Sequence, residues 1–217
     1  MASILIHLAI AKEYMRKNPG VVKNPKVFYD GSVFLDLSKD KDFSHNFCGR
    51  RLAKIFDMRS SLDAKIDLNK FLKYDPLEAE FSKAIVQHLY ADKMWYKQLF
   101  SDEYLSSVGK AQFAAEHTRT MDAHDDFIAK RYGVSFDLVS DYVAVALSEN
   151  LENYRKNNPF KEGYCSDGLL FSQKQLEDFI DEVSSMDLDK LINSSRQEKS
   201  TSGIVTCAKS WKGEGKD

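Results

Sequence analysis

Asp75-Pro76-Leu77-Glu78 opens a run of helical spacing that continues without a breaker to Phe100. Asp75 has the chemistry of an N-cap, Pro76 suits the first helical position, and Glu78 completes a capping-box-like pattern. At 1.5 Å per residue such a helix is about 38 Å long, enough to serve as the scaffold of a whole domain. Other segments repeat the period. Ser3 is placed to cap a helix through Lys17, stopped at Asn18-Pro19-Gly20. Lys110–Tyr132 reads as a helix ended by Gly133, and Ser172 with Gln175 opens one that runs to about Ser185. Ser135–Arg155 reads as a helix with Leu138, Tyr142, Val145 and Ala146 on one face, and Leu188–Ile192 as a short one. Ser44 is a cap for a helix near His45–Met58, and helical spacing continues over Arg59–Lys73. No period-2 stretch of useful length occurs. The spacing predicts an all-α, single-domain bundle over residues 1–195, with 196–217 a Ser-, Lys- and Gly-rich flexible tail.

Residues 18–43 interrupt this pattern and read as a long loop, with a short extended piece at Val27–Tyr29 and Gly31 permitting a backbone turn. Composition narrows the setting. The net charge is −2 and charged residues make up 29%, with no Lys/Arg stripe, which argues against binding duplex nucleic acid or docking on anionic lipid. The three cysteines stand far apart, form no metal-type pair or disulfide framework, and suit a reducing cytoplasm. "ILIHLAIA" with Ala9-Ile10-Ala11 has some of the look of a cleaved leader, but no basic residue precedes it and His7 interrupts it, so a buried first helix is expected. No apolar run is long enough to predict stable membrane insertion.

The chemistry-bearing residues are few. His88 and Asp92 stand four apart on the scaffold helix, so both project from one face and offer a bidentate platform for a divalent ion. Ile85, Leu89, Trp95 and Tyr96 place apolar bulk beside them, and a buried Asp needs a partner. His7 sits in an apolar helix. Asp36 and His45 flank the charged stretch SKDKDFS. Singly, each has a plain structural reading, as a core histidine or a turn cap.

Taken in order, the residues resemble the zinc-dependent phospholipase C family, whose helical fold is shared with zinc-dependent single-strand nucleases. The resemblance rests on His7 in SILIHLAIAKEY, on FYDGSVFLDLSKDKDFSHNF leading through Asp36 to His45, and on His88-x-x-x-Asp92, and it covers about residues 1–135. Small bacterial hydrolases of this family are the nearest pattern. The resemblance implies a metal site of His7, Asp36, His45, His88 and Asp92 holding one or two divalent ions, zinc first, with manganese or iron as substitutes. The family's N-terminal Trp and its His-x-x-x-Glu pair have no counterpart here, because Met121 follows His117 at four residues and Ile128 follows His124. A reduced site is therefore implied, with Asp122 or His124 as additional candidate ligands.

The function this implies is hydrolysis of a small phosphoester by a metal-activated water, with Asp36 as proton acceptor and Trp95, Tyr96 and Tyr29 as candidate pocket walls. Two alternatives remain. An HD-type metal phosphohydrolase needs an adjacent His-Asp pair, for which His124-Asp125 is the one candidate. A non-catalytic metal-binding protein would keep part of the site only.

Overall fold

The computed structural model describes residues 3–38, 79–157 and 168–193. Its elements are α1 (Ile4–Lys17), α2 (Pro25–Val33), a 3-10 turn (Phe34–Leu37), α3 (Ala79–Leu99), α4 (Asp102–Ser107), α5 (Lys110–Tyr132), a second 3-10 turn (Phe136–Leu138), α6 (Asp141–Asn157) and α7 (Gln173–Ser184). A short helix follows at 188–193. No strand occurs among the described residues, and the protein is all-α. The expected cap at Asp75, the helices expected over 45–73 and the tail at 196–217 lie outside the described residues.

Two helices form the centre. Six consecutive residues of α1, Ile6 to Ala11, are buried, and α3 buries Ala84 through Leu89 together with Ala91, Asp92, Trp95 and Tyr96. A helix apolar over most of its circumference must be enclosed by others. α1 is enclosed by α2, α3, α5 and α7, and α3 by α1, α2 and α7. Lysines at the rim of α1 fasten it in place. Lys12 Nζ donates to the Gly133 carbonyl at the end of α5 (2.7 Å). Lys17 Nζ reaches the Asp181 carbonyl and carboxylate, both at 2.6 Å, and the Ser184 and Ser185 hydroxyls near the end of α7. Each places a cation where helix carbonyls are left without intrahelical donors.

The helix ends follow local chemistry. α5 stops at Gly133, which takes the left-handed conformation (φ 59°) that a side chain resists. α7 opens with a complete capping box between Ser172 and Gln175. α1 ends as Asn18 turns back on the Tyr14 carbonyl through its backbone and side-chain N–H groups.

Two expectations are corrected. The segment expected as loop and extended piece holds α2, with Asn24 as cap, its side chain accepting from the Val27 N–H, and Pro25 in the first turn. Gly31 lies inside that helix, not at a turn. Its role is close approach: a Cβ there would lie 2.5 Å from the Phe81 carbonyl oxygen and 2.9 Å from the Ala84 Cβ of α3. The second correction concerns α6. It begins at Asp141, and its buried stripe is Val143 and Leu147, preceded by Val139, while Tyr142 and Val145 are 79% and 59% exposed. The stretch carries two apolar stripes one residue apart, which are rotated by about 100° on a helix. Packing selects the branched aliphatic one.

Gln87 is 1% exposed, and neither end of its amide has a hydrogen-bond partner among the described residues. An unsatisfied buried polar group costs about 1–3 kcal/mol. Gln87→Met, similar in volume and without those groups, should therefore raise the stability to urea by about 1 kcal/mol or more, seen as a higher midpoint at unchanged slope.

Candidate metal centre

His88 and Asp92 are brought to one face of α3 by their four-residue spacing, and α1 lays His7 against them. His88 Nε2 is 3.4 Å from Asp92 Oδ2, and His7 Nε2 is 3.5 Å from Asp92 Oδ1. The two imidazoles stack, with ring centroids 3.8 Å apart and planes 16° from parallel. All three residues are buried, at 1–2% exposure. Among the described residues they form the group whose ligand atoms converge closely enough to hold one ion.

The distances carry chemical information. Hydrogen bonds between N–H and oxygen run about 2.7–3.2 Å, so both contacts are too long to be good ones. His7 Nε2 has no hydrogen-bond partner among the described residues. A tetrahedral ion with bonds of about 2.0–2.1 Å separates its ligand atoms by about 3.3–3.4 Å; the two His–Asp contacts, each to a different carboxylate oxygen, are near that length, and one ligand atom from each of the three residues lies within 4.8 Å of the others. The donor set of two imidazoles and a carboxylate is one that zinc and its first-row neighbours accept.

His88 is also oriented from behind. Its Nδ1 is 2.8 Å from the carbonyl oxygen of Ser32 on α2. A carbonyl only accepts, so Nδ1 carries the hydrogen and donates it, leaving Nε2 to face Asp92. Electrostatics set the two rings apart. Burial, followed by the neighbouring His88, lowers the pKa of His7. Burial opposes charge on His88 as well, but Asp92, Asp36 and the Ser32 carbonyl together outweigh it and raise its pKa.

Asp36 lies on the 3-10 turn that follows α2, not on a loop. It is half-buried, its Oδ2 is shielded from solvent, and its charge is felt by both His7 and His88. The side-chain amide of Asn150 on α6 donates to the Leu37 carbonyl (2.9 Å) and holds this turn in place. His45 lies outside the described residues. Asp122 and His124 are not brought to the group. Asp122 is on the exposed face of α5, and buried His124 donates from Nε2 to the Phe171 carbonyl (2.9 Å).

The aromatic residues considered as pocket walls are core. Trp95 is fully buried and meets Phe171 and Phe179 edge-on, at centroid distances of 5.3 and 5.2 Å. Tyr96 and Tyr29 are buried as well. Trp95 Nε1 donates to His117 Nε2 at 3.2 Å. His117 enters the sequence only as a histidine followed at four residues by Met121. Its signal was present in the pairing of a helical His with a Trp on a neighbouring helix, but only the fold reveals that pairing. The Ser32 carbonyl was not readable at all, because a backbone acceptor leaves no mark in residue type.

No protein-family model, curated protein or solved structure matches this chain. The reading of the site therefore rests on its own geometry and on the resemblance stated above.

Burial among these rings pushes the pKa of His117 down to about 3, from an ordinary 6.5. The unfolded chain takes up a proton near 6.5 that the folded form refuses. This contribution to stability is complete above pH 6.5 and is lost as pH falls toward 3. His117→Gln keeps an acceptor for the Trp95 indole and should shrink the fall in urea midpoint between pH 7.5 and pH 4.5.

Proposed function

We propose that this protein is a metal-dependent hydrolase of small phosphoesters, built on a reduced form of the zinc-dependent phospholipase C site. The observation that carries the reading is the convergence of His7, His88 and Asp92 in the core, with one ligand atom from each close enough to the others to share an ion. His7, His88 and Asp92 would hold the ion, with Asp36 beside them as a second carboxylate. The chemistry such an ion supplies is activation of water near neutral pH and neutralisation of phosphoryl charge. Asp36, half-buried and within electrostatic reach of both imidazoles, is the candidate to accept the proton released from water. His124-Asp125 is a weaker basis for an HD-type reading, because among the described residues neither joins the converging group of His7, His88 and Asp92.

A second reading has an observation in its favour. The three ligands are almost completely buried, which suits an ion closed off from substrate. Structural sites are fully protein-ligated, whereas catalytic ones keep a position for water or substrate.

Elemental mass spectrometry of the purified protein tests the shared premise. One or two zinc, manganese or iron ions per chain are expected. Asp92→Asn and His88→Ala should weaken metal binding by at least about 100-fold, beyond the 10–100-fold typical of changes behind the ligands, with far-ultraviolet circular dichroism preserved. Wild-type protein that takes up no metal after reconstitution would remove both readings. Metal-loaded protein that cleaves no phosphodiester or phosphomonoester would leave the closed, non-catalytic site. Asp36→Asn should then lower turnover more than metal content if the hydrolase reading is right.

A further inference from the structure

Gly31 poses a physical problem. Among the described residues the glycines with positive φ are Gly20 and Gly133, so Gly31 needs no special backbone conformation. It sits inside α2, where glycine costs roughly 1 kcal/mol relative to alanine. Its advantage is therefore steric, and the neighbouring helix shows where. The added Cβ would meet the Phe81 carbonyl oxygen at 2.5 Å and the Ala84 Cβ at 2.9 Å. The first of these is backbone, which no side-chain rotation relieves. Ordinary contact needs about 3.5 Å, so an alanine would drive α2 from α3 by on the order of 1 Å.

The consequence falls on the metal centre. Phe81, Ala84 and His88 lie on successive turns of one stripe of α3, at spacings of three and four residues. The residue after Gly31 is Ser32, buried at 1% exposure, whose carbonyl oxygen stands 2.8 Å from His88 Nδ1. The Ser32 hydroxyl is engaged separately, donating to the Tyr29 carbonyl at 2.7 Å, so the backbone oxygen is what addresses the ring. A displacement of about 1 Å takes this contact beyond hydrogen-bond length. The imidazole then loses the acceptor that keeps its hydrogen on Nδ1, and with it the bare Nε2 that faces Asp92.

We infer that Gly31 is a positioning residue for His88: its missing side chain lets α2 settle on α3 so that the Ser32 carbonyl fixes the ring and tautomer that present Nε2 to a cation. The effect on metal affinity rests on the metal reading above. The effect on the tautomer does not.

The test is nitrogen-detected imidazole NMR on metal-free, full-length protein, at a pH high enough to leave both rings neutral, together with zinc titration. In the wild type, His88 carries its hydrogen on Nδ1. In Gly31→Ala that signature is lost or mixed with the Nε2–H form, and zinc affinity drops about 10–100-fold, the range for removing a partner behind a ligating histidine. Phe28→Leu is the control. Phe28 is buried on the same helix, stacked on Tyr14 at 5.5 Å, so its loss weakens α2 packing without removing the space at Gly31. It should lower stability and leave the His88 tautomer and zinc affinity as they are. A purely structural glycine predicts that Gly31→Ala behaves like Phe28→Leu, and that outcome overturns the inference. So does a wild-type His88 with its hydrogen on Nε2, a result that stands even if Gly31→Ala does not fold. Wild-type protein that binds no zinc but shows the expected tautomer, lost in Gly31→Ala, removes the metal reading and supports the positioning role.

Discussion

Asp92 stands in the middle of the core with an imidazole against each of its oxygens, and the placing of three helices follows from it. A carboxylate at 1% exposure has lost its water. Its charge is tolerable only where positive charge or well-aimed donors replace that water. α1 brings His7 to one oxygen, and α3 itself brings His88 to the other. α2 braces His88 from behind through a backbone carbonyl. The stacked rings cannot both take a proton at 3.8 Å without strong repulsion; burial, followed by His88, lowers the pKa of His7, while on His88 burial is outweighed by Asp92, Asp36 and the Ser32 carbonyl. Ligand atoms of the three residues converge closely enough to hold one ion.

The rest of the fold keeps this arrangement in place. Trp95, one turn beyond Asp92, anchors α3 in a layer of rings contributed by Phe100, His117, Phe171 and Phe179. The residues before α7 are tied to α5 through the Thr120 hydroxyl, which accepts from the Leu170 N–H, and through His124. Two of the five histidines, His117 and His124, thus serve packing. His117 Nε2 accepts from the Trp95 indole and His124 Nε2 donates to the Phe171 carbonyl, and neither ring joins the group around Asp92. Asp30 on α2 accepts from the Ser140 N–H at 2.7 Å and steadies the approach to α6, which in turn holds the turn bearing Asp36.

Much of the helix inventory was legible because its signals are local. Gly133 ends α5 since only glycine takes that conformation cheaply, and Ser172 with Gln175 opens α7 through a bond pattern confined to four residues. The four-residue spacing of His88 and Asp92 fixes their shared face wherever α3 packs. α2 was missed although Asn24-Pro25 carries the same kind of start signal as Asp75-Pro76. The glycine at position 31 weighs against a helix in isolation, and the close fit to α3 outweighs it. The buried face of α6 is not legible for a related reason, since two apolar stripes compete and no local rule ranks them.

The sequence by itself determined an all-α chain, most of its helix ends, and the identity of residues able to bind an ion, because propensity, capping and spacing act over a few residues. Only the tertiary structure decided which histidines meet Asp92, since His7 and His88 stand 81 positions apart and their separation in space depends on how α1 packs on α3. It also decided the part played by Gly31 and by the Ser32 carbonyl. Those depend on the distance between two helices, and a distance of closest approach is a property of the assembled core that no single segment encodes.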